Sequence, residues 1–456
     1  MRLDQLAGAR IGLLGFGREG RAFQRALHTR GLEPDVTVLA ERAPEQAPDP
    51  WPLRVGPLAD QEADFEVLVR SPGVPFGHPF LTRCREQGAV VVSPSSIWFA
   101  ERPDARVIAV TGSKGKSTTA ALIAHLLSHA GLETVLAGNI GIPLLAHLET
   151  RADWFVAELS SYQLVDLSGN PRLGVVTRLF PEHGDWHGGT EGYFAAKLRL
   201  LELLEGGPLV INGADPLLLE ASGGYPNRIE ANRPPRFESS SDGIYQSGRK
   251  LLDAEDLNLI GSHNLDNLAL ALAVGDSLGL DPVGLADAAR SFRPLAHRLE
   301  VVSQSAGARW INDSIATTPH ATRAALEAFS GVGVILIAGG QERGGDWQPV
   351  LDHCRARPLH GLVSLPDNGP AIARKLVTSG AVPAGRVRNA ENLFEAVAAA
   401  LDLVPSGGVV LLSPGAPSFP HFRDFEDRGE QFRRLVGELK TGNRKGERGG
   451  GKPEPP

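Results

Sequence analysis

Lys116 and Ser117 close the turn GSKGKST, made of Gly112, Ser113, Lys114, Gly115, Lys116, Ser117 and Thr118, between the β-branched run VIAVTG and the run STTAALIAHLLSHAGL. Backbone N–H groups at a strand-to-helix turn converge with the positive end of the helix dipole, which suits a phosphate. Lys116 supplies charge for β and γ phosphates, and the Ser117 hydroxyl a ligand for Mg2+. The spacing is short: the usual loop has glycine, four residues, then Gly-Lys-Ser/Thr, and here Val110 stands where the first glycine would be. A second glycine cluster, IGLLGFGREGRAF, sets Gly15, Gly17 and Gly20 in dinucleotide spacing, with Glu41 following at the end of VTVLAE. Taken alone it describes a nicotinamide dehydrogenase, yet a phosphate loop follows where a hydride-transfer domain would be required. Asn264 and Asn267 share one helix face and can offer donor and acceptor to an adenine edge or a phosphate. Asn264 can equally cap a helix starting at Leu265. Glu158 ends the apolar run WFVAE, where a carboxylate is costly if buried unpaired. By chemistry alone Lys197, in KLRLLELL, is a solvated charge on a helix face.

These residues need a scaffold of alternating strands and helices. Strand-like runs ARIGLLGF, VTVLA, FEVLVRS, VVVS, VIAVTG, WFVAEL, LGVVTRL, PLVING, VGVILIAGG and GVVLLSPG alternate with helical patterns, and most end in Gly, Ser or Thr. That is the signature of parallel sheets covered by helices. The 456 residues correspond to about three domains. Boundaries are expected near Arg102 and Pro103 and near Arg293 and Pro294, giving domains 1–102, 103–294 and 295–440. The patch ANRPPRFESSSDGIYQSGRK reads as a loop or small hairpin. Residues 441–456, ending in KGERGGGKPEPP, are expected to be disordered. With 53 acidic against 46 basic residues and a net charge of −7, the composition has no electrostatic footprint for nucleic acid or an anionic membrane. Cys84 and Cys354 lack metal-ligand spacing and suggest a reducing cytoplasm. The N-terminus lacks a signal-peptide core, and no run approaches the ~18 apolar residues of a membrane span.

The turn GSKGKSTT resembles the ATP loop of the Mur ligases, which add amino acids to the UDP-linked muramoyl precursor of peptidoglycan. Further blocks in the family's order extend the resemblance over most of residues 107–430: GNIGIP, AELSSYQL, LFPEHGDWHGGTEGYFAAKLRLL, GSHNLDNLALA, AHRLE, INDSIATTP and LLSPGAPSFPHFRDFEDRG. It implies an α/β fold of three domains: a Rossmann-like UDP-binding domain, a central P-loop ATPase domain with a mostly parallel sheet, and a C-terminal Rossmann-like domain that receives the amino acid. It also implies the reaction. The γ-phosphoryl group of ATP passes to a substrate carboxylate, and an amine displaces phosphate from the acyl phosphate. Catalysis of this kind is positioning plus electrostatics. By resemblance Lys116, His183 and Lys197 are catalytic, and Ser117, Glu158, His183 and a carbamylated Lys197 hold two Mg2+ ions. Asn264, Asn267, Arg298 and Asp313 join the turn in binding ATP.

The first hundred residues resemble the glutamate-adding branch, which acts on UDP-N-acetylmuramoyl-L-alanine, whereas folate-type polyglutamate ligases lack such a domain. On this reading Gly15, Phe16 and Gly17 cradle the UDP diphosphate, Glu41 and Arg42 lie near the uridine, and Ser71, Pro72 and Gly73 form the UDP loop. Asn139 and Ser160 complete the UDP-substrate contacts, with Thr317, Arg343, Ser418 and Phe425 around glutamate. The chain departs from the pattern at Arg178, usually asparagine, and at Ile315 and Arg343, where the common form has lysine. D-glutamate is the expected amino acid, although DSIATTP, ERGGDW and PGAPSF also resemble an L-glutamate-adding branch. A cytoplasmic monomer is expected, and a non-catalytic nucleotide-binding protein is the remaining alternative.

Overall fold

A computed structural model describes residues 1–44, 46–182, 184–305, 307–342 and 344–442. Two compact units are present, one formed by Met1–Asn258 with Ser262–Phe292, the other by Leu259–Gly261 with the chain from Arg293.

The first unit holds two parallel sheets. One has the strand order Leu53–Val55, Asp35–Ala40, Arg10–Leu14, Val67–Arg70, Val90–Val92. The other runs Arg228–Ala231, Leu209–Asn212, Leu173–Val176, Val107–Thr111, Trp154–Glu158, Thr134–Gly138. Their central strands are apolar without alternation because both faces are covered, as parallel sheets require. Apolar side chains of the two sheets merge in one core, from Leu13 and Phe23 through Trp98 and Phe155 to Leu200. The polar patch at 231–250 forms more than a loop: Phe237–Ser240, Gly243–Gln246 and Arg249–Asp253 make a three-stranded antiparallel sheet.

The apolar residues of STTAALIAHLLSHAGL recur at helical spacing, which suggests an amphipathic helix, and helix Lys116–His129 differs from that expectation. It is buried around most of its first three turns, from Ser117 to Leu127, because helices Ser262–Ser277 and Pro282–Arg290 pack over the side that would otherwise face solvent. Its alanines and threonines are small enough to be covered on both sides. Helix Thr190–Leu203 buries one stripe, Tyr193, Ala196, Lys197 and Leu200.

The second unit is built on a six-stranded sheet in the order Glu300–Ser305, Ala308–Asn312, Val409–Leu412, Val334–Gly340, Gly361–Asp367, Val387–Asn389. It is parallel except for the hairpin pair Glu300–Ser305 and Ala308–Asn312. Apolar cores lie on both faces, one around Leu336 and Trp347, the other around Trp310 and Phe432. The last helix, Phe425–Gly442, includes residues 441 and 442, which the composition assigns to a disordered tail. The rest of that tail, 443–456, lies outside the described residues, as do His183 and Arg343.

Candidate functional site

The chemistry-bearing turn follows the central strand Val107–Thr111. Gly112 has φ +138° and Gly115, which caps helix Lys116–His129, has φ +89°. Both conformations disfavour a side chain. Space forbids one as well, since a Cβ on Gly112 would lie 2.1 Å from Thr177 Oγ1 and one on Gly115 2.4 Å from Asn267 Oδ1. The turn is held from outside. Ser113 N–H donates to Arg178 O at 2.6 Å, Thr177 Oγ1 donates to Lys114 O at 2.6 Å, and Tyr193 Oη donates to Ser113 Oγ at 3.1 Å. Lys116 Nζ donates back to Ser113 O at 3.1 Å, and Lys114 pairs with Glu182 at 2.9 Å.

Glu158 pairs with Val110 in the neighbouring strand, which sets its carboxyl beside the turn. Asn139 Nδ2 donates to Glu158 Oε1 at 2.9 Å. Glu158 Oε2 is buried and has no hydrogen-bond partner among the described residues. A buried carboxylate oxygen without a donor suits a cation, so this position fits a metal ligand.

Lys197 is not a solvated helix-face charge. It is 1% exposed, and its Nζ donates to Gly112 O at 2.7 Å and lies 4.6 Å from the Tyr193 ring centroid. Burial first, then the neighbouring charge of Lys116, holds its amine well below the ordinary lysine range. The spacing of Tyr193, Ala196, Lys197 and Leu200 contained this information, because Lys197 falls on the helix's own apolar stripe. Asn264 does not cap a helix at Leu265: the helix starts at Ser262, and Asn264 lies inside it, accepting from Asn267 Nδ2 at 3.1 Å. Arg178 pairs with Asp266 on that helix at 2.7 Å.

The first glycine cluster behaves as its spacing suggests. Strand Arg10–Leu14 leads through Gly15, at φ +83°, into helix Arg18–Thr29. Gly15, Phe16, Gly17, Glu41, Arg42 and Gly73 line a cavity of about 520 Å3. Ser71, Pro72 and Asn139 line a neighbouring one. Ser160 caps the short helix Ser161–Leu164 through a reciprocal bond with Gln163.

In the second unit Asp313 follows strand Ala308–Asn312. It accepts from Ser413 Oγ at 2.8 Å and from Leu299 N–H at 3.2 Å, and burial pushes its carboxyl up to about 7. Arg298 is the cation that acts against this rise. The segments bearing Thr317, Ser418 and Phe425 meet at the same sheet edge: Gly415 N–H donates to Ala316 O at 2.9 Å and Ser314 Oγ to Phe425 O at 2.8 Å.

Two family models match the chain, the Mur ligase middle domain over residues 110–275 and the Mur ligase glutamate ligase domain over 297–415. A UDP-N-acetylmuramoyl-L-alanine–L-glutamate ligase from a Micromonospora species is 41% identical, covering 96% of this chain and 98% of that protein. The chain belongs to the Mur ligase family. A protein of the same name from Xanthomonas euvesicatoria is also 41% identical, over 96% of this Mur ligase and 97% of the relative. Among solved structures, the UDP-N-acetylmuramate–alanine ligase of Thermotoga maritima is 20% identical with a TM-score of 0.60, covering 95% and 100% of the two chains. MurF ligase of Thermotoga maritima in complex with ADP is 15% identical with a TM-score of 0.55, covering 96% and 97%. The three-domain α/β architecture is therefore that of the family, and the protein is a ligase.

Several residues of this Mur ligase were not anticipated. Arg70 is fully buried and pairs with Asp166 at 2.6 Å, tying the two sheets of the first unit together across 96 positions of sequence. No local pattern could announce that. Gln163 had a signal, since Ser160 and Gln163 spell a capping box. Arg428, 0% exposed, donates to Ser314 Oγ at 2.9 Å, Ser314 O at 2.8 Å and Ala416 O at 3.2 Å. It binds together the segments around Thr317 and Ser418.

Proposed function

We propose that this Mur ligase joins glutamate to UDP-N-acetylmuramoyl-L-alanine at the expense of ATP, in peptidoglycan precursor synthesis. One observation supports the reading most: Lys116, buried Lys197 and the half-satisfied carboxylate of Glu158 converge on one glycine turn at a helix N-terminus. Anionic phosphate meets backbone N–H groups and the Lys116 ammonium there, and the charge of the transferring phosphoryl group is offset without reorganisation. The carboxylate attacks the γ-phosphorus, ADP leaves, and the glutamate amine then displaces inorganic phosphate to form the amide.

Ser117, Glu158, His183 and Lys197 would hold two Mg2+ ions, whose charge would stabilise the transferring phosphoryl group. Lys197 is suited to carbamylation because burial disfavours its ammonium form: the lone pair of the neutral amine adds to CO2, a proton is released, and an anionic carboxyl results. Asn264, Asn267, Arg298 and Asp313 are assigned to ATP. Gly15, Phe16, Gly17, Glu41, Arg42, Ser71, Pro72 and Gly73 are assigned to the UDP group, and Asn139 and Ser160 to the acyl end. Thr317, Arg343, Ser418 and Phe425 are assigned to glutamate. The domains are taken as 1–102, 103–294 and 295–440, in a cytoplasmic monomer whose two cysteines are free and buried.

For the amino acid we favour L-glutamate over the D enantiomer expected from the common form. The support is that relatives at 38–41% identity across 96% of the chain are named for L-glutamate, together with the loss of a cation at Ile315. Phosphate release with ATP, UDP-N-acetylmuramoyl-L-alanine and each enantiomer tests this. L-glutamate should turn over at least tenfold faster; faster turnover of D-glutamate would reverse the assignment, and no release with either would reject the reaction.

A further inference from the structure

A second cavity, of about 250 Å3, adjoins the first and joins Gly15, Gly17 and Ser71 to Asn139 and Gln163. Glu19 also lines it. This residue lies in the first turn of helix Arg18–Thr29, beside the turn that the reading above gives to a diphosphate. A carboxylate there repels such a ligand, so its presence calls for a compensating contact.

The surroundings of Glu19 are defined on one side. Ser160 N–H donates to Gln163 Oε1 at 3.0 Å, and Ser160 Oγ donates to the same oxygen at 3.0 Å. With Gln163 Oε1 thus turned toward backbone N–H, the amide nitrogen must face the other way, and it donates to Glu19 Oε1 at 3.1 Å. Glu19 Oε2 is buried and has no hydrogen-bond partner among the described residues. The adjacent Arg18 lines the same cavity and donates to Gly141 O at 3.3 Å rather than to Glu19. Burial outweighs the opposing effects of Gln163 and Arg18 and pushes the carboxyl up to about 7. A carboxylate accepts at about four positions, and an oxygen left without a donor costs about 1–3 kcal/mol. The carboxyl is short of donors, and the cavity it lines is where a ligand can supply one.

The cavity's position indicates what that ligand part is. One end is the Gly15–Gly17 turn, and the other is Asn139, which is bonded to Glu158 beside the phosphate turn. A substrate with its diphosphate at the first end and its reacting carboxylate near the second has its sugar in between. The hydroxyl and acetamido N–H of that sugar are hydrogen-bond donors. We propose that Glu19, oriented by Gln163 and Ser160, is a specificity-determining residue that accepts a hydrogen bond from an O–H or N–H of the substrate's N-acetylmuramoyl group. The proposal rests on the reading that the substrate is UDP-N-acetylmuramoyl-L-alanine.

Glu19→Gln tests it in the full chain. The new amide can still accept from Gln163, but it presents an N–H2 to the cavity. The KM for UDP-N-acetylmuramoyl-L-alanine should rise about tenfold, the scale of one hydrogen bond to a charged group. The dissociation constant of UDP alone, the KM for ATP and, within about twofold, kcat should stay unchanged. An unchanged KM, or an equal loss for UDP and for the full substrate, would overturn the proposal. Should Glu19→Gln fail to fold, Glu19→Asp, which keeps the charge and withdraws the carboxyl by one methylene, must show the same selective loss, and equal losses would again overturn it. Wild-type protein that bound neither UDP nor the full substrate would overturn the substrate reading itself.

Discussion

Replacing Arg428 by methionine separates what holds the second unit together from what shapes its pocket. The guanidinium is fully buried, and its hydrogen bonds run to a hydroxyl and two carbonyls, Ser314 Oγ, Ser314 O and Ala416 O. Two opposing terms follow from Arg428→Met. The Ser314 and Ala416 carbonyls lose their donor, at about 1–3 kcal/mol each, or about 2–6 kcal/mol together. Against this, burial pushes the guanidinium down to about 9, and at 1.4 kcal/mol per tenfold the charge disfavoured in the native state is worth roughly 5 kcal/mol, which methionine recovers. The terms nearly cancel, so the unfolding free energy of this unit should change by no more than about 3 kcal/mol. The pocket should not be spared: the Gly415 N–H to Ala316 O bond still joins the two segments, but Ser314 and Ala416 lose the donor they share, and the KM for glutamate should rise about tenfold or more. Urea unfolding followed by tryptophan fluorescence, with Trp310 and Trp347 buried in this unit, gives the first quantity and steady-state kinetics the second. A stability loss above about 4 kcal/mol, or an unchanged glutamate KM, would refute the reasoning.

Lys116→Ala should leave a folded protein, by circular dichroism, with ligase turnover reduced at least about a hundredfold, because a positioned charge is lost without disturbing a core; normal turnover would remove Lys116 from catalysis. Lys197→Ala should likewise be inactive, and millimolar formate or acetate should restore part of the phosphate release by supplying an anionic oxygen ligand, whereas full activity without additive would contradict the role of the lysine. The Asp313 carboxyl, near 4 unfolded and about 7 folded, holds an extra proton in the native state between those values, so it lowers stability as pH rises from about 4 to about 7. Asp313→Asn should flatten this component of the urea midpoint measured between pH 5 and pH 8, and an equally steep profile in the variant would assign the dependence to other groups.

Local patterns were enough to read the parallel sheets, both glycine turns and the residues at strand ends, because each depends on a few neighbouring side chains. A buried strand announces itself as a continuous apolar run, as in VIAVTG and GVVLLSPG, and a turn with positive φ announces itself as glycine. Edge strands such as Leu53–Val55 and Val387–Asn389 were silent, since half-exposed positions carry no such run. The polar segment 231–250 reads as a loop or small hairpin and not as a three-stranded sheet, because its strands gain most of their order from each other and from helix Ser262–Ser277. What only tertiary structure decided was burial of charge. Lys197 reads as an ordinary surface cation until distant segments are folded over it, burial of Arg428 has no local signal, and the donor shortage at Glu19 exists only because Ser160 fixes the amide of Gln163, more than 140 residues away. Sequence names a side chain's chemistry, whereas the dielectric around it and the donors within reach are contributed by residues far along the chain, and these decide whether a lysine is a solvated charge or a buried amine whose ammonium form is disfavoured beside a phosphate turn.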